Sequence, residues 1–235
     1  MNAAAIGAEL RRSAHLPLWL TTAAILALLV IVPGYVSPGG PNALVGANGS
    51  PAAYAFAETA EIVLQAAAAL PILVLSADIA DRSRGMLLTY PVRTQALALA
   101  RLAAGLAWCC AWSLLALLLS GLLGFGLQVG LSLALLLPEQ VFVLAGSFAV
   151  TEWSHEVGLG AGFALLALVL GFGVKGLPFA QPAALHLELS DLRNHPLTAA
   201  LWLNRLSLLD LGCLLAAIGT FGMRHHRRRG SYAGS

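Results

Sequence analysis

The side chains that could do chemistry are few and poorly grouped. Glu152, His155 and Glu156 fall together in one short segment, and His186, Glu188, Asp191 and His195 are spread loosely over another. Zinc hydrolases present their ligands at fixed helical spacing such as His-Glu-x-x-His, so that two imidazoles share one helix face. Neither segment has that spacing, which argues against a metal site and against a hydrolase working inside the membrane. Cys109, Cys110 and Cys213 lie in apolar runs with no Cys-x-x-Cys, and read as buried thiols rather than ligands or disulfides. Lys175 is the only lysine, and Val174 and Gly176 flank it. A nucleotide-binding P-loop needs Gly-Lys-Ser/Thr, because the lysine reaches the terminal phosphates while loop amides cradle them. This chain therefore lacks the means to hydrolyse ATP by that route.

The remaining polar residues of interest stand inside apolar stretches. Glu139 and Gln140 follow Pro138 in one such stretch, and Asp210 interrupts another. A carboxylate at the centre of a bilayer costs about 2.5 to 3.5 kcal/mol on insertion scales and should face protein or water. With Glu58, Glu61 and Gln65 they are candidates for a substrate path suited to cationic amphipaths. A second reading makes Glu139 a hydrogen-bonded packing residue and pairs Asp210 with Arg205.

The elements that must carry these residues follow from composition. The 235 residues are 59% hydrophobic and 10% charged, with mean hydropathy +0.82. A water-soluble domain carries roughly a quarter charged residues, so the class is membrane. A crossing takes about 20 mostly apolar residues, and six can be drawn: 16–32, 60–77, 97–119, 131–150, 157–174 and 206–223. Pro71 predicts a kink in the second. Residues 33–57 carry no charge and read as a Gly/Pro-rich outer loop. Residues 175–203 read as an outer segment in which Leu185, Leu189 and Leu192 line one face of a short helix. This leaves one transmembrane domain over 1–235, all α-helical, with no room for a soluble catalytic domain.

Arginine and lysine fix the orientation. Arg11, Arg12, Arg82, Arg84, Arg93, Arg101 and the four arginines of 224–229 fall on one side, and Lys175, Arg193 and Arg205 on the other. That excess places both termini in the cytoplasm, in a cell membrane of bacterial type by its Ala, Leu and Gly content. Arg101 is near enough to a span end to snorkel to the interface. Ile6, Leu10 and Ala14 oppose Arg11, Arg12 and His15 on a helical wheel, so 1–15 predicts a helix lying in the inner interface. The basic 224–229 run, directly after a span, is an anchor at anionic lipid rather than a nucleic-acid site. Trp19, Trp153 and Trp202 suit the interfaces, while Trp108 and Trp112 read as deeper packing residues.

The polar loop 78–95 is the feature with most character. Asp81-Arg82-Ser83-Arg84-Gly85 is followed by Met86-Leu87-Leu88-Thr89-Tyr90 and Pro91-Val92-Arg93. Gly85 permits a sharp departure from the preceding span, Pro91 separates a short helix from the next, and the arginines hold it at the membrane surface. This pattern resembles the first cytoplasmic loop of type-2 ABC exporter permeases. The apolar stretch is shorter than in that family, and the glutamate usual between its leucines is missing.

The resemblance implies a six-span permease fold with an N-terminal interfacial helix and a cytoplasmic coupling helix. It implies pairing with a second permease, identical or similar, and with two ATPase subunits that bind ATP and Mg, the chain itself holding no cofactor. It also implies that Glu152-Trp153-Ser154-His155-Glu156 meets the same ATPase; the acidic character suits a basic patch there, against the plainer reading of a solvated turn. A membrane anchor or regulatory subunit that moves no substrate is the alternative function.

Overall fold

The computed structural model describes residues 7–9, 11, 16–36, 51–77, 94–125, 133, 135–173 and 199–232. The described residues form helices and the turns between them, with no strand among them. In hydrocarbon no water satisfies a backbone N–H or C=O, and a helix closes those bonds within one segment. The helices are α1 (Leu16–Val36), α2 (Pro51–Ala67), α3 (Leu70–Leu75), α4 (Thr94–Leu122), α5 (Leu137–Ser154), α6 (Val157–Gly173) and α7 (Ala199–Tyr232).

Three stretches are long and apolar enough to cross a membrane: Ala55–Leu75, Thr94–Leu122 and Trp202–Met223. Pro17–Pro33 and Val157–Leu170 are shorter apolar helices. The exposure pattern is that of a protein whose surroundings are apolar: Val169 is 68% and Leu165 65% exposed, whereas Glu139 and Glu152 are 0% exposed. The chain is thus an all-helical membrane protein with Glu139 and Glu152 inside and many leucines outside.

Several expected boundaries move. α1 runs through Pro33 to Val36 instead of ending at the proline, because a proline in a span removes one hydrogen bond that neighbours can replace. α2 begins at Pro51, inside the stretch expected to be loop. The expected kink at Pro71 is a break: Ala68 and Ala69 form a turn, and α3 restarts with Pro71 in its first turn, where a missing N–H leaves no acceptor empty. The Arg-rich end of α7 remains helical to Tyr232. Of the interfacial helix only residues 7–9 and 11 are described, and these are helical; the rest of it, and the short helix expected around Leu185–Leu192, lie outside the described residues.

Packing divides the bundle in two. In one half Leu18, Ile25 and Leu29 of α1 meet Ala52, Phe56, Ala60 and Leu64 of α2, with Trp112 of α4 closing the cluster. The Trp112 indole N–H donates to Thr22 Oγ1 at 2.9 Å, so this buried tryptophan is a packing residue, as expected. In the other half α5 and α6 form a hairpin whose turn is His155, in the left-handed region at φ 61°, its N–H bonded to Thr151 O at 2.9 Å. α7 then runs parallel to α5: Gly212 faces Val141, Gly219 faces Phe148 and Gly222 faces Trp153. Small residues of this kind let helix backbones approach closely where lipid offers no hydrophobic drive.

The close approach at Gly219 is testable. A Cβ there would stand 2.6 Å from the Phe148 ring and 3.0 Å from Ala149 Cα, whereas one at Gly162 meets nothing within 4 Å. Gly219→Ala should lower thermal stability in detergent by about 1–3 kcal/mol, and Gly162→Ala should leave it equal or raise it by roughly 0.5–1 kcal/mol, read by fluorescence-detected size exclusion after heating.

Candidate functional site

The polar interior centres on α5. Pro138 lies in its first turn, and Glu139 and Gln140 follow it, both fully buried. The Glu139 carboxylate is held from two sides. Arg205 Nη1, from α7, donates to Oε1, and Gln65 Nε2, from α2, donates to Oε2. Gln65 stands at the centre of the Ala55–Leu75 stretch. Glu61, one turn before Gln65 and on the same side of α2, is buried too. Gln140 Oε1 accepts from Ser113 Oγ of α4 at 3.2 Å. Three helices, α2, α4 and α7, therefore converge on two adjacent residues of α5. Arg205 Nε and Nη2 and Gln140 Nε2 have no acceptor among the described residues.

A second ion pair ties the other end of α5. Arg101 Nη1 of α4 lies 3.4 Å from Glu152 Oε1, with both side chains buried. At 1.5 Å per residue Glu139 and Glu152 are separated by about 20 Å along the helix, so the pairs secure α5 near both ends. Removing one member of a buried ion pair strands the other charge and costs about 3–5 kcal/mol, more than the pair itself contributes to stability.

The positions of the expected site residues are mixed. Asp81, Arg82, Arg84, Gly85, Met86, Leu87, Leu88, Pro91 and Arg93 lie outside the described residues, as do His186, Glu188, Asp191 and His195. Glu152 is corrected: it is part of helix α5, not of a loop, and its carboxylate is turned inward to Arg101 because α5 continues to Ser154. Arg101 accordingly pairs inside the bundle instead of snorkelling. Trp153 packs on α7, donating its indole N–H to Ile218 O at 3.0 Å and stacking on Phe221 with ring centres 6.5 Å apart. The turn proper consists of His155 and the exposed Glu156.

Among the path candidates, Glu58 is exposed while Glu61, Glu139 and Gln140 are interior. Asp210 does not pair with Arg205, which belongs to Glu139, and it is exposed on the outward side of α7. Cys109 is buried as expected, but Cys213 is exposed. Among the described residues no three His, Cys, Asp or Glu side chains come together as a metal site. A cavity of about 310 Å³ lies between α4 and the start of α5, lined by Cys110, Ser113, Leu114, Leu117, Leu133 and Leu137. It is nearly all apolar, and Ser113, its hydroxyl-bearing wall, turns toward Gln140.

The sequence offers all four of these residues but not their pairing, Arg205 with Glu139 and Arg101 with Glu152. Their signal was present as matched depth: Arg205 and Glu139 each sit near the start of their helices, and those helices run parallel. The chain matches no protein family, no curated protein and no solved structure.

Glu139→Leu and Arg205→Met should each destabilise the protein by roughly 3–5 kcal/mol, and the double variant should recover most of that loss, because an apolar pair strands no charge. Thermal unfolding of the four proteins in one detergent measures the cycle; a double variant that loses the sum of the two single losses would show that the pair is not coupled.

Proposed function

We propose that this chain is the membrane-spanning permease subunit of an ATP-driven exporter of the type-2 ABC plan. In this reading α1, α5 and α6 complete six crossings with the three long stretches, and both termini face the cytoplasm of a bacterial inner membrane. The observation that supports it most is the placement of the loop 78–95. This segment carries the Asp81–Gly85 and Pro91–Arg93 features, and it joins two helices, Ala55–Leu75 and Thr94–Leu122, that are each fit to cross a membrane. A short helix pinned at the membrane surface between two spans can seat in a groove of a soluble ATPase and pass on its closure. ATP and Mg would bind two such partner subunits, and this chain would supply no catalysis, in keeping with its lack of a P-loop lysine.

Within that assembly His155 and Glu156 offer the second contact with the ATPase. Glu152 contributes from inside, by holding α5 to α4 through Arg101.

A second reading, a membrane anchor or regulatory subunit that moves no substrate, draws on a different observation. Both carboxylate oxygens of Glu139 are taken by Arg205 and Gln65, which suits a residue that holds the bundle together better than one that meets a passing cation.

Isolation of the complex from native membranes separates the readings. The exporter predicts a co-purifying ATPase whose turnover falls when Arg84→Ala or Leu88→Ala is introduced, with the complex still assembled. It also predicts that a cysteine at Ser83 reacts with a membrane-impermeant maleimide only after the cells are opened. Labelling from outside intact cells, or an isolated complex without any nucleotide hydrolase, would exclude it. An ATPase that co-purifies while no substrate class alters its turnover points to the anchor.

A further inference from the structure

The cavity between α4 and the start of α5 has an opening, a lining and a depth that together select what enters it. Its α4 wall is one helical stripe, Cys110, Ser113, Leu114 and Leu117, at the i, i+3, i+4, i+7 spacing, and Leu133 and Leu137 form the facing wall. Leu133 is buried, whereas Leu114 and Leu117 are exposed and continue into the exposed Leu118 and Leu122. The mouth therefore opens sideways, into the leucine-covered surface that meets the bilayer. At about 310 Å³ the cavity is about twice the size of an apolar cavity that stays dry and admits benzene. A buried water needs two to four polar partners. Ser113 brings the one hydroxyl among the described lining residues, and its proton is already given to Gln140 Oε1; the Cys110 thiol is a weak partner. Water is thus a poor occupant and hydrocarbon a good one.

Depth narrows the choice further. α4 is 29 residues long, and at 1.5 Å per residue Cys110 to Leu117 run from about 3 to about 14 Å past its midpoint. With α4 centred on a hydrocarbon core about 30 Å thick, that interval lies inside a single leaflet and follows the direction of its acyl chains. We propose that the cavity is a lipid site: one acyl chain of a phospholipid, from the leaflet at the C-terminal end of α4, enters between Leu114 and Leu117 and lies against Leu133 and Leu137. Leaving a cavity of this size empty would forfeit the packing contacts of its walls, which is what favours the seated chain over one that stays in the bilayer. Because Ser113 is bonded to Gln140, beside Glu139, the seated chain supports α4 against α5 at the height of the polar cluster. The inference needs only the membrane placement; association with an ATPase is answered separately by co-purification, so either can fail alone.

The test places the full-length chain in nanodiscs of phosphatidylcholine and phosphatidylglycerol that contain a phosphatidylcholine with a diazirine midway along one acyl chain. After illumination, adducts per residue on 110–117 and 133–137 should exceed those on Leu165, Leu166 and Val169, exposed residues of α6, by about fivefold or more. Cys110→Phe, which fills the cavity from inside, and Leu117→Trp, which narrows its mouth, should each bring the cavity adducts down to the α6 level. Leu118→Trp, exposed but not part of the lining, should leave them unchanged. Phospholipid added back to delipidated protein should raise the melting temperature of the natural chain more than that of Cys110→Phe. Equal labelling of the cavity and of α6, or enriched labelling that persists in both cavity variants while each still melts cooperatively, would overturn the proposal.

Discussion

Hydrocarbon cannot hydrate a charge, and that constraint organises this bundle around α5. Glu139 and Glu152 are fully buried, and each is stable only where another helix brings it an arginine. Arg205 comes from α7 and Arg101 from α4. The two pairs fix α5 in rotation and in height. A slide of one helical turn, about 5.4 Å, would part both carboxylates from their guanidinium groups at once. Apolar contacts alone would not set that register, since leucine packs against leucine as well as against a lipid tail.

The glycines of α7 and the ion pair depend on one another. Arg205 reaches Glu139 because α7 lies close against α5, and it lies close because Gly212, Gly219 and Gly222 give no side chain to hold it off. Trp153 closes the C-terminal end of the same contact by donating to Ile218 O. Glycine in a helix interior lowers its intrinsic stability by roughly 0.5–1 kcal/mol relative to alanine. In α7 that loss is offset by the backbone approach it permits. The α1–α2 half works differently: Leu18, Leu29, Phe56 and Leu64 fill space, and the bond from Trp112 to Thr22 ties it to α4.

The sequence carried the helical membrane class, and three of its six expected spans, in its apolar run lengths. α4 and α6 begin and end within a few residues of the expected bounds, and Pro71 marks a real interruption. Partner choice was harder to read. Helices such as α6 are apolar on every side, so periodicity does not say which side faces protein, and a charge in them has no visible direction. Glu152 was placed in a loop because Thr151–Glu156 is polar, yet α5 continues through Ser154 and turns that carboxylate to Arg101. Arg205 was matched with Asp210 for their nearness in sequence. At five residues' separation on a helix the two side chains point about 140° apart, and Arg205 takes the inward direction that Glu139 requires.

The same geometry limits how the bundle can move if it transmits force. α5, α6 and α7 are joined by an αL turn at His155, by Gly160 packed on Thr151 and by the Arg205–Glu139 pair. Shearing α7 along α5 would strand a guanidinium in hydrocarbon, so these three helices move as one body. The bond from Gln65 to Glu139 extends that body to the middle of α2. Immediately beyond Gln65 the chain breaks at Ala68–Ala69, and Pro71 prevents α2 and α3 from sharing one hydrogen-bond ladder. The break lies between the polar cluster and the segment that begins at Asp78. A displacement of that segment would therefore bend the chain at residues 68–71 before it disturbed the charges on α5.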